Sequence, residues 1–497
     1  MKNKIANSLF IITFFNVLDR ALGFVFKIYI SRVVGAEGVG IYQIAFSFFS
    51  TMLCVVIGGI PLVVSKFVTR SKDKKEESKI TGSALLLSFC FSVGLICLFF
   101  ALIVPLKIFV GNTTIVLVIF MLPTLVFSSA YCSLRGYLWG KEKFFAVSIV
   151  EVIEQVSRIG ICVAFFLLGF DKLYSIALSL SVGSLVSCIS CFIFFFCYKG
   201  KLRASKNEIL RINKSSFPIT ISNVVGAISV SITSIIIPKL FVYSGYSTSQ
   251  ATAMLGACLG MAMPLVFIPI TLVSSLAFVL IPQISNCVKN NNFERINSNV
   301  KGSIKFASIV AGAIVPFFLV CGKLTCSFIY KNEQSGEFLS FIAFALFPLT
   351  IENITGSILN SLDMEMKNFI NGLIGYSMIW IVAIVCIGNY SIYALGLGFA
   401  LSWTLSAILN IRCIMKKTGL NLSFIVDIAK SIVLCIPTIL LCKNLLGICG
   451  NLHPFFTLCI CGICSLSFFA ILSIIFGSFS LFKVRAKRKK GIVVNND

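Results

Sequence analysis

Charged side chains set inside long apolar runs are the residues of this sequence with chemistry to offer. In the run NVLDRALGFVFKIYI, Asp19, Arg20 and Lys27 sit among apolar neighbours. One such charge at mid-bilayer depth costs at least ~2.5–3.5 kcal/mol, so it must face water, protein or a ligand. Arg20 and Lys27 are seven residues apart, which places both on one face of a helix. Two cations on one face suit an anionic headgroup; the competing reading is Lys27 reaching back to the outer interface. A second run, SIVEVIEQVSRIG, carries Glu151, Glu154 and Arg158. Glu154 and Arg158 form an i,i+4 pair in the favourable order, which fits a structural ion pair or a substrate or coupling-ion site equally well. Lys239 follows Pro238 near a helix end, and Glu352 stands alone beside Asn353 in mid-helix, where a carboxylate is suited to take up a proton or Na+. The candidate cationic binding residues are therefore Arg20, Lys27, Arg158 and Lys239. Asp19, Glu151, Glu154 and Glu352 are the candidate coupling-ion or ion-pair residues.

Catalytic patterns are absent from the sequence. The single His453 has no acidic cluster beside it, and there is no phosphate-binding Gly-Lys-Ser/Thr loop. An enzyme is not expected, nor a metal or other cofactor; Na+ or H+ coupling, or the membrane potential, would supply the energy. Of the 20 Cys, most lie in apolar runs, where a thiol packs as a small hydrophobe. Cys459, Cys461 and Cys464 lack His or acidic partners and read as packing residues too, and no structural disulfide is expected.

These residues need elements to hold them at depth. The 497-residue chain is 58% hydrophobic and 12% charged, and apolar runs of membrane-spanning length recur from end to end. Fourteen spans are predicted, at about 8–31, 39–66, 80–106, 113–134, 145–169, 173–198, 217–243, 249–281, 303–330, 337–361, 368–388, 391–412, 424–447 and 454–482. The start reads as a retained first helix, since no small-residue cleavage site follows it. A net charge of +24 would suggest nucleic acid in a soluble protein, but here alternate connections hold it. About 30 of the 42 Lys and Arg fall in one set of loops and the tail, Arg135 and Lys141 among them, against about five in the other set. That bias places both termini in the cytoplasm of a bacterial cell membrane. It also removes nucleic acid as a partner.

A weak repeat relates the first helix pair, ending in Gly59-Ile60-Pro61, to the seventh and eighth helices, ending in Leu280-Ile281-Pro282. A spacing of six helices preserves direction, so the lobes would be parallel repeats. The expected organisation is an all-α polytopic membrane protein: an N-lobe at 1–216, a C-lobe at 217–417, two further helices at 418–482 and a basic cytoplasmic tail at 483–497. Pro61, Pro123, Pro238, Pro264, Pro269, Pro316, Pro348 and Pro437 each remove a backbone donor inside a span, as ordinary irregularity or as hinges.

Three stretches resemble the stage V sporulation protein B family of the multidrug/oligosaccharidyl-lipid/polysaccharide exporter superfamily. They are ALGFVFKIYISRVVGAEGVGIYQIAFSFFSTMLCVVIGGIPLVVSKFV, LRGYLWGKEKFFAVSIVEVIEQVSRI and LGACLGMAMPLVFIPITLVSSLAFVLIPQIS. The resemblance implies a V-shaped flippase, similar to the multidrug and toxin exporters, with two six-helix lobes and two C-terminal helices. Related lipid II flippases of the MurJ type move undecaprenyl-pyrophosphate-linked precursors. Their Arg-Val-Leu-Gly-Phe run supplies a cavity arginine, and Arg20-Ala21-Leu22-Gly23-Phe24 matches it, so that role carries to Arg20. Their next arginine falls on Phe26 here, with Lys27 one residue on. Residues 51–60 and 255–269 hold no basic residue where those proteins place further arginines, which sets this chain nearer the sporulation branch.

The resulting expectation is a flippase for a lipid-linked anionic glycan, of the peptidoglycan type (spore cortex included) or a polysaccharide precursor. The alternatives are a cation-coupled drug exporter of the same superfamily and a non-transporting scaffold that partners cell-wall synthases.

Overall fold

The computed structural model describes residues 2–289 and 292–476; the basic tail expected at 483–497 lies outside them. Among the described residues the fold is helical throughout, without a strand. This follows from the solvent. In hydrocarbon every backbone N–H and C=O must be satisfied within the segment, which a helix achieves alone. The chain forms two compact units, Met1–Gly256 and Ala257–Asp497.

The first unit holds α1 (Lys2–Ile57), α2 (Ile60–Arg70), α3 (Lys74–Ala101), α4 (Ile103–Val110), α5 (Asn112–Gly140), α6 (Phe144–Leu167), α7 (Lys172–Cys197), α8 (Lys206–Tyr243) and α9 (Thr248–Leu255). The chain leaves it through a π-helical turn, Gly256–Ala262. The second unit continues with α10 (Met263–Lys289), α11 (Phe293–Tyr330), α12 (Glu333–Ile342), a 3-10 turn, α13 (Leu346–Ser361), α14 (Glu365–Tyr390), α15 (Ile392–Thr418), α16 (Phe424–Cys449) and α17 (Pro454–Ile475).

Twelve helical stretches among the described residues are long and apolar enough to cross a membrane. The first, Val17–Arg70, breaks at Gly35 (φ 69°, ψ −177°) and so carries two of the expected spans. α6 is a full-length helix whose three charges set it apart from the apolar twelve. With these two, the fourteen expected spans are accounted for. One boundary differs in a way that matters. The fourth span, expected to end at 134, runs to Gly140, so Arg135 is a helix residue and not a loop residue.

Small residues let the helices of the first unit approach. A Cβ at Gly40 would run into the Thr252 carbonyl oxygen, and one at Gly256 into that of Ala36, so α1 and α9 touch backbone to backbone at two points. Hydroxyls then join neighbours. Ser231 Oγ donates to the Ser47 carbonyl at 2.6 Å and lies 2.7 Å from Thr51 Oγ1, fastening α8 to α1. Ser92 Oγ donates to the Leu125 carbonyl at 3.1 Å between α3 and α5. Such contacts are the usual adhesive between helices when lipid supplies no hydrophobic drive.

The second unit uses the same means. α14 and α15 cross where Gly375 meets Ser402 and Ser406, and the buried Asn371 Nδ2 donates to Asn410 Oδ1 at 2.9 Å. α11 is the spine against which α16 and α17 pack. Phe469 of α17 fills the space left by Gly312, and Cys435 Sγ of α16 lies 3.5 Å from the Gly312 carbonyl oxygen.

The backbone contacts at Gly40 and Gly256 yield a test. Gly40→Ala and Gly256→Ala should each lower stability by about 1–3 kcal/mol, the usual cost of overpacking. Gly94→Ala, where a Cβ meets nothing within 4 Å, should leave it unchanged or raised. Thermal unfolding of the three variants in detergent makes the comparison.

Candidate functional site

The polar residues of α6 form a single stripe, because Glu151, Glu154, Gln155 and Arg158 recur at helical spacing. All four are half-buried. The stripe faces three other helices. On the α1 side, the Asp19 carboxylate accepts a hydrogen bond from the Gln155 side chain and lies within electrostatic range of Glu154, Arg158 and Arg20. Gln155 Nε2 lies 4.0 Å from where a Cβ on Gly23 would stand, so the side chain passes beside that glycine. On the α5 side, Arg135 Nη2 pairs with Glu151 Oε1 at 3.0 Å, and the Tyr131 hydroxyl donates to the same oxygen at 3.4 Å. On the α7 side, Gly183 lets the Arg158 stem pack closely.

Arg158 Nη2 pairs with Glu154 Oε1 at 2.9 Å on its own helix. The structure thus brings together Asp19, Glu151, Glu154 and Arg158 as members of one network. Each glutamate of the stripe holds an arginine, and Asp19 is held by Gln155. Unspent polar atoms remain: Arg135 Nε, Arg158 Nε and Gln155 Oε1 are buried without a hydrogen-bond partner among the described residues.

Arg20 and Lys27 differ from these. Both side chains are exposed on the surface of their unit, and neither makes a salt bridge among the described residues. Arg20 lies within electrostatic range of Asp19, its neighbour in the chain. Lys239 stands apart on α8, in a cleft of about 520 Å³ that Glu37, Asn112 and Thr252 also line. Glu352 belongs to the second unit, half-buried on α13 within electrostatic range of Tyr376, one residue before Asn353, which accepts a hydrogen bond from Ser274 at 3.2 Å. It does not join the network of the first unit.

Arg135 is the residue that sequence reasoning missed, since it was grouped with the basic loop. A signal was present. Arg135 and Trp139 are an i,i+4 pair, and the guanidinium lies 4.2 Å from the centre of the Trp139 ring and 5.9 Å from that of Tyr131. Aromatic faces and a carboxylate together hold a guanidinium that has left water.

Residues 5–288, more than half of the chain, match the family described as "Polysaccharide biosynthesis protein". The chain belongs to this family. Among its relatives, Stage V sporulation protein B of Bacillus subtilis (strain 168) is 24% identical over 382 residues, 72% of this chain and 73% of that protein. Lipid II flippase MurJ of the same organism is 24% identical over 375 residues, 67% of each chain. The fold is that of a solved lipid II flippase MurJ in an inward closed conformation, at a TM-score of 0.74 and 16% identity, covering 94% of this chain and 98% of that one. An inward-facing multidrug resistance transporter of the MATE family, itself of the MOP superfamily, aligns at a TM-score of 0.68 and 15% identity, over 81% of this chain and 94% of that one. The resemblance read from the sequence is borne out, and this member of the family is a multi-pass membrane protein.

The Arg135–Glu151 pair can be weighed directly. Removing one partner of a buried pair costs about 3–5 kcal/mol, because the other is left charged and alone. Side-chain exposures of 29% and 22% reduce the expectation to about 1–3 kcal/mol for Arg135→Ala. The joint replacement Arg135→Met with Glu151→Leu should lie closer to the parent protein than either single change. Unfolding measured across the full double-mutant cycle tests this; a coupling within error of zero would show that the pair is solvated.

Proposed function

We propose that this protein is a flippase that carries a polyprenyl-diphosphate-linked glycan precursor, of peptidoglycan or polysaccharide type, to the outer face of the bacterial cell membrane. The observation that carries the reading is the pair of exposed cations on α1. Arg135 and Arg158 are neutralised by glutamates, whereas Arg20 and Lys27 are not. A diphosphate that leaves water needs cations to offset its lost hydration, and charge-assisted hydrogen bonds to arginine are the strong kind. The relatives, a sporulation protein and a lipid II flippase, support cargo of the cell-wall class.

The acidic residues that a cation-coupled drug exporter would use are engaged within the protein. Arg135 holds Glu151, Arg158 holds Glu154, and Gln155 holds Asp19. This favours anionic cargo over cationic cargo. With both termini in the cytoplasm, an inside-negative potential assists outward movement of an anion by about 2.3 kcal/mol per charge per 100 mV. Glu352 is the candidate for Na+ or H+ coupling, and Arg158 and Lys239 are secondary cargo contacts. Alternating access of the 1–216 and 217–417 lobes is the transport mode this reading takes. The basic loops are where cell-wall synthases would dock.

Translocation of lipid-linked precursor, followed in cells depleted of their own flippases, tests the reading. The parent protein should restore it. Arg20→Ala and Lys27→Ala should each lower it at least tenfold at unchanged membrane abundance. Normal translocation by both variants would remove the cargo role from α1.

A further inference from the structure

Three thiols from three helices meet in the second unit. Cys321 of α11, Cys442 of α16 and Cys461 of α17 are fully buried. Their Sγ atoms all lie within 4.8 Å of one another, the one such grouping of three or more His, Cys, Asp or Glu donors among the described residues. The sequence offers no hint of it, because the three residues are 121 and 19 positions apart and the run around Cys461 reads as packing.

Convergence of three thiols from three helices separates this cluster from the other buried cysteines of the described residues. Cys321 Sγ and Cys442 Sγ are 3.8 Å apart. A disulfide would need ~2.05 Å. Two thiolates that share one metal at ~2.3 Å stand ~3.8–4.0 Å apart at tetrahedral to trigonal angles. The Cys321–Cys442 distance is thus one that two sulfurs on a shared ion would have, and Cys461 supplies a third donor within 4.8 Å of both.

We propose that Cys321, Cys442 and Cys461 form a three-sulfur site for a thiophilic metal ion, copper(I) in particular. The donor set is wholly soft, which favours copper(I) over hard cations. Zinc with three protein ligands takes a fourth from water, and the shell around the cluster is apolar: Phe317, Val320, Leu445, Leu446 and Leu458. A three-coordinate monovalent ion needs no fourth ligand. Binding exchanges protons for metal. Each sulfur that ligates as thiolate gives its proton to solvent, an S–Cu bond replaces the S–H bond, and no electron is transferred. The consequence for the fold is a clamp that joins α16 and α17 to α11. This inference is independent of the cargo proposed above.

The test uses the purified full-length protein in detergent, kept reduced and anaerobic, titrated with copper(I) against a chromophoric copper(I) chelator. The parent protein should retain one more tightly held equivalent than Cys321→Ser, Cys442→Ser or Cys461→Ser, each of which should bind that equivalent at least tenfold more weakly. Cys188→Ser, a buried thiol outside the cluster, should match the parent. Cys461→Ala covers the case in which serine disturbs folding, and copper(I) should raise the unfolding temperature of the parent but not of this variant. X-ray absorption should report sulfur-only ligation at three-coordinate distances. Equal copper retention by the parent and all cluster variants would place the metal on others of the 20 cysteines and overturn the proposal, as would loss of two thiols per chain to a disulfide under the same conditions.

Discussion

A charge carried into hydrocarbon must find its counter-charge on a neighbouring helix, and the polar stripe of α6 is where this constraint acts hardest. Glu151 draws Arg135 in from α5, Gln155 reaches Asp19 on α1, and Arg158 lies in the groove opened by Gly183 of α7. Each contact is strongly dependent on distance in a low-dielectric interior. A rotation of α6 by one residue would separate all of them at once. The stripe therefore fixes the register of four helices, and the rest of the first unit is packed around that registration.

Arg20 and Lys27 gain their meaning from the same rule. Two arginines of this unit are held by its own glutamates, whereas no ion pair among the described residues holds Arg20 or Lys27. Glycine and serine contacts perform a different task. They bring backbones close enough for dispersion and hydrogen bonding to act between helices that lipid would otherwise solvate as well as they solvate each other.

Much of this was legible in the sequence because the bilayer leaves few solutions. Apolar run length predicts the spans, and the i,i+4 spacing of Glu154 and Arg158 allows an ion pair and a substrate or coupling-ion site equally, of which the structure shows the pair. The misplacement of Arg135 shows where that legibility ends. A basic residue near the cytoplasmic end of a span is compatible with loop and helix alike, and only the position of Glu151 on another helix decides between them. The π-helical turn Gly256–Ala262 and the convergence of Cys321, Cys442 and Cys461 were hidden for the same reason. Composition reports what a residue can do, whereas these features depend on partners far away in the chain.

The packing of α16 and α17 has a consequence for how the molecule comes apart. Both helices rest chiefly on α11 and on each other, through Gly312, Phe469 and Cys435, and their outer faces carry Ile436, Leu440, Ile463 and Ile471 toward lipid. Lipid can replace the lost contacts as the pair lifts away, while the glycine and asparagine crossing of α14 with α15 stays closed. The two C-terminal helices therefore constitute a separate cooperative layer. Such a layer opens without the rest of the unit, so its backbone hydrogen bonds carry less than the full stability of the fold.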